Sequence, residues 1–275
     1  MFRRPRPQPP RDGHAAGGRT PWRWALAGGL AGALAALVLQ APARWLAIGL
    51  GAASQGRLLL EDARGTVWNG SARWVLTGGA GSRDRATLPG RVHWTLRPAA
   101  SGLTLQLDAA CCTRTPLRLQ LGPRWGGARL DVADIPRDSQ SWPAGLLSGL
   151  GAPWNTLQPD GQLALETRGF GLAWTAGRLV VTGTAGVTAH DLSSRLSTLR
   201  PLGSYRLTLQ GGPAPRLELA TLEGALALDG RGQWVGARLR FTGEARATPE
   251  REAALSNLLN IIGRRSGARS LITVG

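Results

Sequence analysis

The residues best suited to catalysis or metal binding, histidine and cysteine, are few in this chain and poorly spaced for a site. The 275 residues include three histidines and two cysteines. His14 lies near the N-terminus, and His93 and His190 are far apart in sequence. No His-x-x-x-His, Glu-x-x-His or acidic cluster has the spacing of metal ligands. We therefore predict no metal and no cofactor.

Nucleophilic catalysis also lacks a sequence signature. Gly81-Ser82 and Gly203-Ser204 do not have the flanking residues of a Gly-x-Ser-x-Gly elbow. His190-Asp191 would need a distant serine to form a triad, and adjacent pairs of this kind arise by chance. No glycine-rich loop continues into Lys-Ser or Lys-Thr, so phosphate cradling is unsupported. The chain is predicted not to be an enzyme.

Cys111 and Cys112 are adjacent, which restricts what they can do. Their number excludes a Cys-x-x-Cys redox site and a four-cysteine zinc site. A vicinal disulfide at a strand edge is possible, although it closes almost no loop and stabilises little. Two ordinary thiols and an intermolecular link are the alternatives.

The charge of the chain is strongly positive, at +16, and all 33 basic residues are arginine. Such a charge is typical of nucleic-acid partners. The arginines are spread through strand-like segments, however, and exclusive use of arginine alongside abundant Ala, Gly and Pro is typical of a GC-rich genome. We predict no nucleic-acid partner and a weak attraction to the anionic headgroups of a lipid bilayer.

The N-terminal region predicts a membrane anchor. Residues 1–21 are rich in Arg, Pro and Gly and predict a disordered basic cytoplasmic tail. Residues 22–45 predict a transmembrane signal-anchor helix, because roughly 20 apolar residues match a hydrocarbon core of about 30 Å. Tryptophans at both ends suit the boundaries between water and lipid, and the arginine excess before the segment places the N-terminus in the cytoplasm. The alternative is a cleaved signal peptide, since Ala41-Pro42-Ala43 has the Ala-x-Ala spacing, although Pro42 disfavours cleavage.

The exported part has the alternating pattern of β-strands. Leucines alternate with polar residues over 103–107, 117–121 and 205–209, and such segments recur about every ten residues with Gly, Pro or Asp between them. We predict a mainly β domain over residues 46–265, an antiparallel meander forming a curved sheet or a sandwich, followed by a flexible C-terminus over 266–275. Residues 161–183 and 224–243 are weakly similar, as a stacked repeat or by biased composition.

Two segments predict helices. Residues 139–150 suggest a short helix or a loop crossing the sheet. Thr248 and Pro249 suit a helix start. Five apolar residues then share one face of a C-terminal amphipathic helix: Ala254, Leu255, Leu258, Leu259 and Ile262. This helix is expected to cover the sheet or to dock on a partner.

The most distinctive motif is Gly-Thr-Val-Trp-Asn-Gly-Ser-Ala at residues 65–72. The pair Asn69-Gly70 predicts a type I′ hairpin turn, since both residues tolerate positive φ. The candidate interaction or structural motif comprises six residues: Gly65, Trp68, Asn69, Gly70, Trp74 and Trp94. Tryptophan suits both cores and contact surfaces, so both roles remain open.

The order of these motifs along residues 22–265 resembles the type II secretion system protein N family of Gram-negative bacteria. The matching parts are the single N-terminal apolar segment, residues 65–72 and 92–98, the segment 157–163 leading to Trp174, residues 201–205, 222–226 and 232–234, and residues 243–250 before the helix. The resemblance implies a non-catalytic inner-membrane assembly component with its C-terminal domain in the periplasm. The implied partners are other inner-membrane and periplasmic components of the machine. The long basic tail and Cys111-Cys112 depart from the family pattern.

Two kinds of function are compatible with this sequence. In the first, sheet edges and tryptophan-bearing turns dock other periplasmic components, as a scaffold. In the second, a curved meander encloses an apolar groove that binds or transfers lipid, as in AsmA-like proteins. A closed, side-chain-filled core favours the scaffold, and an open Leu/Val groove favours lipid.

Overall fold

A computed structural model describes residues 22–236 and 238–275. The described residues belong to two compact units, which meet in sequence between Gln40 and Ala41. His14 and the predicted basic tail over residues 1–21 lie outside the described residues. In the first unit, helix α1 (Trp22–Leu39) is long and apolar enough to cross a membrane.

The predicted span over residues 22–45 is longer than the helix that forms. Helix α1 ends at Leu39, and a separate helix α2 (Ala43–Ala53) begins the second unit. Pro42 explains the break, because proline disfavours helical backbone in the residue before it and lacks an N–H to donate. Ala41 and Ala43, the small residues of the possible cleavage site, are buried in the second unit.

The second unit is one antiparallel sheet, which confirms the predicted mainly β meander. Its strands are β1 (Leu58–Gly65), β2 (Asn69–Thr77), β3 (Arg85–Thr87), β4 (Val92–Ala99), β5 (Gly102–Ala109), β6 (Leu117–Arg124), β7 (Gly127–Val132), β8 (Trp142–Pro143), β9 (Pro159–Thr175), β10 (Arg178–Ser194), β11 (Gly203–Gln210), β12 (Arg216–Gly224), β13 (Leu226–Val235), β14 (Arg238–Ala247), β15 (Arg264–Ser266) and β16 (Arg269–Val274). Neighbours in the sheet follow chain order, apart from short additions by β3 and β8 and the final order β14-β16-β15. Among the described residues the sheet does not close, and β1 and β15 form its edges.

The sheet is curled, as a short 3₁₀ helix (Ala144–Leu150) demonstrates. This helix packs both on β2 and β3 and on β9. Five strand steps separate β2 from β9, which is about 24 Å in a flat sheet. Seven residues of 3₁₀ helix extend only about 14 Å. Asn155, in the following helix α3 (Trp154–Leu157), also donates to Asp84 beyond β2, at 3.0 Å. Residues 139–150, predicted as a short helix or crossing loop, thus supply both β8 and the helix that fills the curl.

The C-terminal amphipathic helix is confirmed. A 3₁₀ turn (Pro249–Arg251) leads into α4 (Glu252–Ile262), whose Leu255, Leu258 and Leu259 are fully buried. They pack on Leu226 and Ala245 of the sheet. Thr248 makes no side-chain capping bond, so the start of the helical segment depends on Pro249, whose fixed φ suits the first turn.

The prediction of a flexible C-terminus over residues 266–275 is wrong for most of that range. Residues Arg269–Val274 form β16, which pairs with β14 from Phe241↔Val274 to Arg246↔Arg269. The alternation in this segment is short, with arginine and threonine on one side, and therefore gave a weak strand signal. Pairing with β14 satisfies its backbone groups.

Arg91 forms hydrogen bonds to the bulge in edge strand β1. Asp62 has φ of 51° where the pairing of β1 with β2 shifts. Arg91 donates to the Asp62 carboxylate at 2.7 Å and to the Asp62 backbone carbonyl at 2.6 Å. The hydrogen bonds from Arg91 and then Arg64 hold the pKa of Asp62 below its ordinary value of 3.8.

Replacing Asp62 with asparagine is expected to lower stability at neutral pH, and the deficit should shrink in acid. Asparagine tolerates the same positive φ, so the change removes mainly the charge. Because the pKa of Asp62 is lowered by folding, its stabilisation is present above the unfolded pKa and is lost as pH falls through the folded pKa. Thermal unfolding of D62N and wild type between pH 7 and pH 3 measures this. A deficit that does not change with pH would contradict the assignment.

Candidate binding surface

The Trp-Asn-Gly motif forms the first hairpin, but the predicted type I′ turn at Asn69-Gly70 is wrong. Neither residue has positive φ, and both already belong to β2. The left-handed position is Gly65, with φ of 87°, and the Thr66 N–H donates to the Asn69 carbonyl at 2.8 Å. Gly70 is needed for a different reason. A Cβ there would lie 2.5 Å from the Trp94 ring and 2.7 Å from the Arg64 carbonyl oxygen.

The structure therefore brings Gly65, Gly70 and Trp94 together. Trp94 is buried, and its indole N–H donates to the Val67 carbonyl at 3.1 Å. The Val67 N–H donates to the Ala41 carbonyl at 2.8 Å, which fixes the start of the second unit on this hairpin. These contacts give the motif a packing role.

The other predicted site residues lie around this hairpin and beside the adjoining strands. Trp74 packs between two buried clusters, and Trp68 is half-buried with its carbonyl accepting from the Leu96 N–H at 2.7 Å. Cys111 and Cys112 lie in the β5–β6 connection and are joined by a disulfide, with Cys112 buried and Cys111 exposed. A contact role for the Trp-Asn-Gly hairpin and the oxidised state of the cysteines in the cell stay predictions.

The possible triad around His190 does not assemble in the described part of the chain. The carboxylate near the His190 imidazole is that of Asp138, whose Oδ1 lies 3.9 Å from Nε2. It is not the carboxylate of the adjacent residue, Asp191. The Asp191 N–H donates to the Ser204 hydroxyl oxygen at 3.2 Å, so that serine is not directed at the imidazole. Among the described residues, no group of three or more His, Cys, Asp or Glu side chains could hold a metal.

The principal surface feature is a continuous apolar face on one side of the sheet. Directly paired residues of antiparallel strands share a face. Leu105 of β5 pairs with Leu119 of β6, which pairs with Val132 of β7. Further along, Val187 of β10 pairs with Leu207 of β11, which pairs with Leu219 of β12. We call this surface the apolar face; its large members include Val92, Trp94, Leu96, Leu103, Leu105, Leu107, Leu117, Leu119, Leu121, Leu130, Val132, Leu163, Leu165, Leu172, Trp174, Leu179, Val181, Val187, Tyr205, Leu207, Leu209, Leu217, Leu219, Leu228, Trp234, Leu239, Phe241, Ile272 and Val274.

Charged side chains are on the other side of the sheet. In the regularly paired stretches of β4–β7, β9–β14 and β16, the intervening positions carry them: Arg118 pairs with Gln106, Arg206 with Thr188 and Glu218 with Arg231. Burial acts to raise the pKa of Glu166 there, but the Arg137 hydrogen bond and nearby arginine charges lower it overall. The sheet is therefore amphipathic across its width.

Helices cover only part of the apolar face. Helix α2 packs on Trp94, Leu105 and Leu107, and the 3₁₀ helix packs beside Val92 and Ala109. Helix α4 covers the region of β13, β14 and β16.

The middle of the apolar face has no covering layer among the described residues. Its leucines in β6, β7, β11 and β12 belong to none of the three buried clusters. Leu179 is 53% exposed and Leu207 is 37% exposed, whereas most other large members there are half-buried and Val181 is buried. A contiguous apolar surface of this extent marks a binding site in soluble domains.

One end of the sheet carries exposed tryptophan and arginine: Trp174 belongs to the apolar face, whereas Arg124 and Arg178 take alternate positions that belong to the opposite face. The β6–β7 and β9–β10 hairpin tips lie side by side, since the Ala176 N–H donates to the Gly126 carbonyl at 3.3 Å. Trp125 at the first tip is 98% exposed, and Trp174 beside the second is 52% exposed. Arg124 and Arg178 complete these tips and have no ion-pair partner among the described residues. We call these four residues the tip cluster.

A polar cleft of about 570 Å³ lies at the other end of β9 and β10. Arg83, Asp84, Asn155 and Arg200 are among its lining residues. The side-chain amide of Asn155 donates to the Asp84 carboxylate at 3.0 Å, so the two residues are already paired.

The class of protein that the fold defines is a helix long and apolar enough to cross a membrane, followed by an open antiparallel sheet with one apolar face. Residues 56–272 match the family described as Type II secretion system (T2SS), protein N. The match covers most of the chain, and the chain belongs to this family of secretion accessory components. Membership implies association with other type II secretion components. No curated protein and no solved structure matches the chain significantly.

Sequence reasoning missed the uncovered middle of the apolar face. The sequence did contain a signal: it has many strands with alternating leucines but, outside α1, only short helices that could cover them. Each strand pattern by itself is equally compatible with a covered core.

Proposed function

We propose that this protein is a non-catalytic, single-pass inner-membrane component of the type II secretion machine, which assists its assembly by binding along the apolar face of a periplasmic sheet. The observation that carries the proposal is the uncharged, uncovered middle of that face. Exposed leucine surface costs about 25 cal/mol per Å² in water, so an occupant that covers it gains binding energy without any chemical step.

The proposed topology has the N-terminus in the cytoplasm and the anchor retained. The arginines of residues 1–21 support this orientation. Burial of Ala41 and Ala43, together with the bond from Val67 to Ala41, supports retention. Cleavage at Ala41-Pro42-Ala43 would require access to residues that are buried in the folded domain.

The apolar face is a better docking surface than the sheet edges. Edge strand β1 is bulged at Asp62 and carries Glu61 and Arg64. Edge strand β15 has three residues, of which Arg264 and Arg265 are charged. Charges, bulges and short length are the usual protection against strand addition.

Charge on the apolar face is expected to abolish secretion. A strain lacking the gene would be complemented with L121E or L207E, whose side chains are already more than a third exposed. Matched controls are Q106E and Q210E, positions of the opposite face whose cross-strand partners are Arg118 and Arg216. We expect L121E and L207E to lose export of folded substrates while Q106E and Q210E retain it, with equal protein levels and thermal unfolding. Normal export by both leucine variants would refute the proposed function.

A further inference from the structure

We propose that the tip cluster lies in the headgroup layer of the membrane that α1 crosses, with the β6–β7 and β9–β10 hairpins meeting the bilayer end-on. The partner is the surface of an anionic bilayer. Of the proposed function, this inference uses only the retained anchor, and it concerns a surface separate from the middle of the apolar face.

Six of the connections between strands lie at one end of the sheet. Alternate connections of an antiparallel meander share an end, so the β1–β2, β4–β5, β6–β7, β9–β10, β11–β12 and β13–β14 connections lie together. With the two residues on each side, they contain no Asp or Glu but five arginines: Arg64, Arg124, Arg178, Arg216 and Arg238. Among the described residues, only Arg64 of these five forms an ion pair. Asp84, Asp134 and Asp138 lie in connections at the opposite end.

The hairpins of the tip cluster project past their neighbours at the arginine-bearing end. On one side, β6 pairs with β5 as far as Leu121 but continues to Arg124 with β7. On the other side, the Gly212 N–H donates to the Val181 carbonyl, three residues from Arg178. Three residues of strand extend about 10 Å. The headgroup layer of one leaflet is about 5–7 Å thick, so a projection of this length is enough to enter it.

The projecting hairpins expose apolar side chains on both faces. Trp174 and Leu179 are exposed on the apolar face. Val180, the next residue, is exposed on the opposite face, and Trp125 is exposed at the tip itself. Indole rings favour the boundary between hydrocarbon and water. A strand end that is apolar on both sides is therefore suited to the boundary of a bilayer.

The arginines of the tip cluster suit the same layer. Arg124 and Arg178 lie on the face opposite Trp174, and an end-on approach brings both faces to the headgroups. Guanidinium binds phosphate through paired hydrogen bonds. The long arginine stem keeps the charge at the level of the phosphates while neighbouring apolar side chains lie deeper.

The point at which the chain enters the second unit favours a bilayer over an acidic protein as the partner. The Ala41 carbonyl accepts from the Val67 N–H, and Val67 lies in the β1–β2 connection at this same end. In sequence, Gln40 alone separates Ala41 from Leu39, the last residue of α1. Two residues of chain span at most about 7 Å. The bilayer that α1 crosses therefore begins close to the arginine-bearing end.

The test places a photoreactive residue in the full chain, reconstituted in vesicles of phosphatidylethanolamine and phosphatidylglycerol. The probe replaces Trp125 at the tip, Thr198 at the opposite end or Leu34 in α1, and phospholipid adducts are measured by mass spectrometry. Thr198 is the matched control, because it is also exposed and lies beyond the far end of β10, whose 17 residues extend about 56 Å. We expect adducts from positions 125 and 34 and at least tenfold less from position 198.

Two results would overturn the inference. One is a phospholipid adduct from position 34 without one from position 125, which would leave the proposed anchor intact. The other is an equal yield from positions 125 and 198, which would mean that the domain meets lipid without a preferred end. A covalent dimer joined through position 125 in place of the lipid adduct belongs to the first result.

Arginine variants test the contribution of charge. R124Q combined with R178Q is expected to lower the adduct from position 125 about fivefold or more in vesicles that contain phosphatidylglycerol. The yield should change little in vesicles of phosphatidylcholine, which carry no net charge. The matched control is R195Q combined with R200Q at the opposite end, which should behave as wild type. An unchanged yield in R124Q with R178Q would also contradict the inference.

The two proposals fail separately. If L121E and L207E abolish secretion while position 125 gives no lipid adduct, the inference fails and the proposed function stands. If position 125 gives the adduct but these leucine variants secrete normally, the membrane contact stands and the proposed function fails.

Discussion

Replacing Gly70 with alanine is expected to destabilise the protein by about 1–3 kcal/mol or more, because the new methyl group has nowhere to go. An ideal Cβ at this position lies 2.5 Å from the Trp94 ring, 2.7 Å from the Arg64 carbonyl and 2.9 Å from the Thr66 carbonyl. Trp94 is buried and hydrogen-bonded to Val67, so it cannot swing aside. Relief requires the backbone of the first hairpin to move.

The matched control is Gly186→Ala in β10. Its nearest heavy atom to an added Cβ is 3.9 Å away and its φ is not positive, so the methyl group fits. Replacing a permissive glycine in this setting is neutral or stabilises by about 0.4–1 kcal/mol. Unfolding of the full chain in detergent, followed by tryptophan fluorescence, compares the two. Equal stability of G70A and wild type would contradict the packing role assigned to the motif.

Truncating Leu258 to alanine is expected to cost about 2–5 kcal/mol and to loosen helix α4 from the sheet. Leu258 is 1% exposed and packs in the cluster that contains Leu226 and Ala245. This cluster is the only covering of the apolar face at β13, β14 and β16 among the described residues. Its weakening therefore extends the uncovered region.

The control for Leu258 is Ile261→Ala in the same helix. Ile261 is 40% exposed, so its truncation should cost less than about 1 kcal/mol. Thermal unfolding measures the difference, and binding of a hydrophobic dye measures the newly exposed surface. Similar losses in L258A and I261A would show that α4 does not depend on its buried face.

Local pattern determined a large part of the fold in advance. Alternating leucines identified the strands because side chains alternate between faces at every residue. The C-terminal helix followed from Pro249 and the spacing of Leu255, Leu258 and Leu259. The family was identified from the order of several modest motifs.

The hairpin at residues 65–72 shows where local reasoning was insufficient. Asn69-Gly70 has the sequence of a tight turn, but Gly70 serves close packing against Trp94, and Gly65 supplies the positive φ. Trp94 lies more than twenty residues further along the chain. The sequence alone does not distinguish a glycine required by contact with a distant side chain from a glycine required by a positive φ.

The sequence by itself determined a mainly β domain behind one apolar helix, with charged residues alternating against leucine. Only the tertiary structure decided which leucines are covered. Coverage depends on where α2, the 3₁₀ helix and α4 cross a curled sheet, and those crossings join residues far apart in the chain. Strand periodicity reports the face to which a side chain belongs, whereas the layer that meets that face is set by long-range packing.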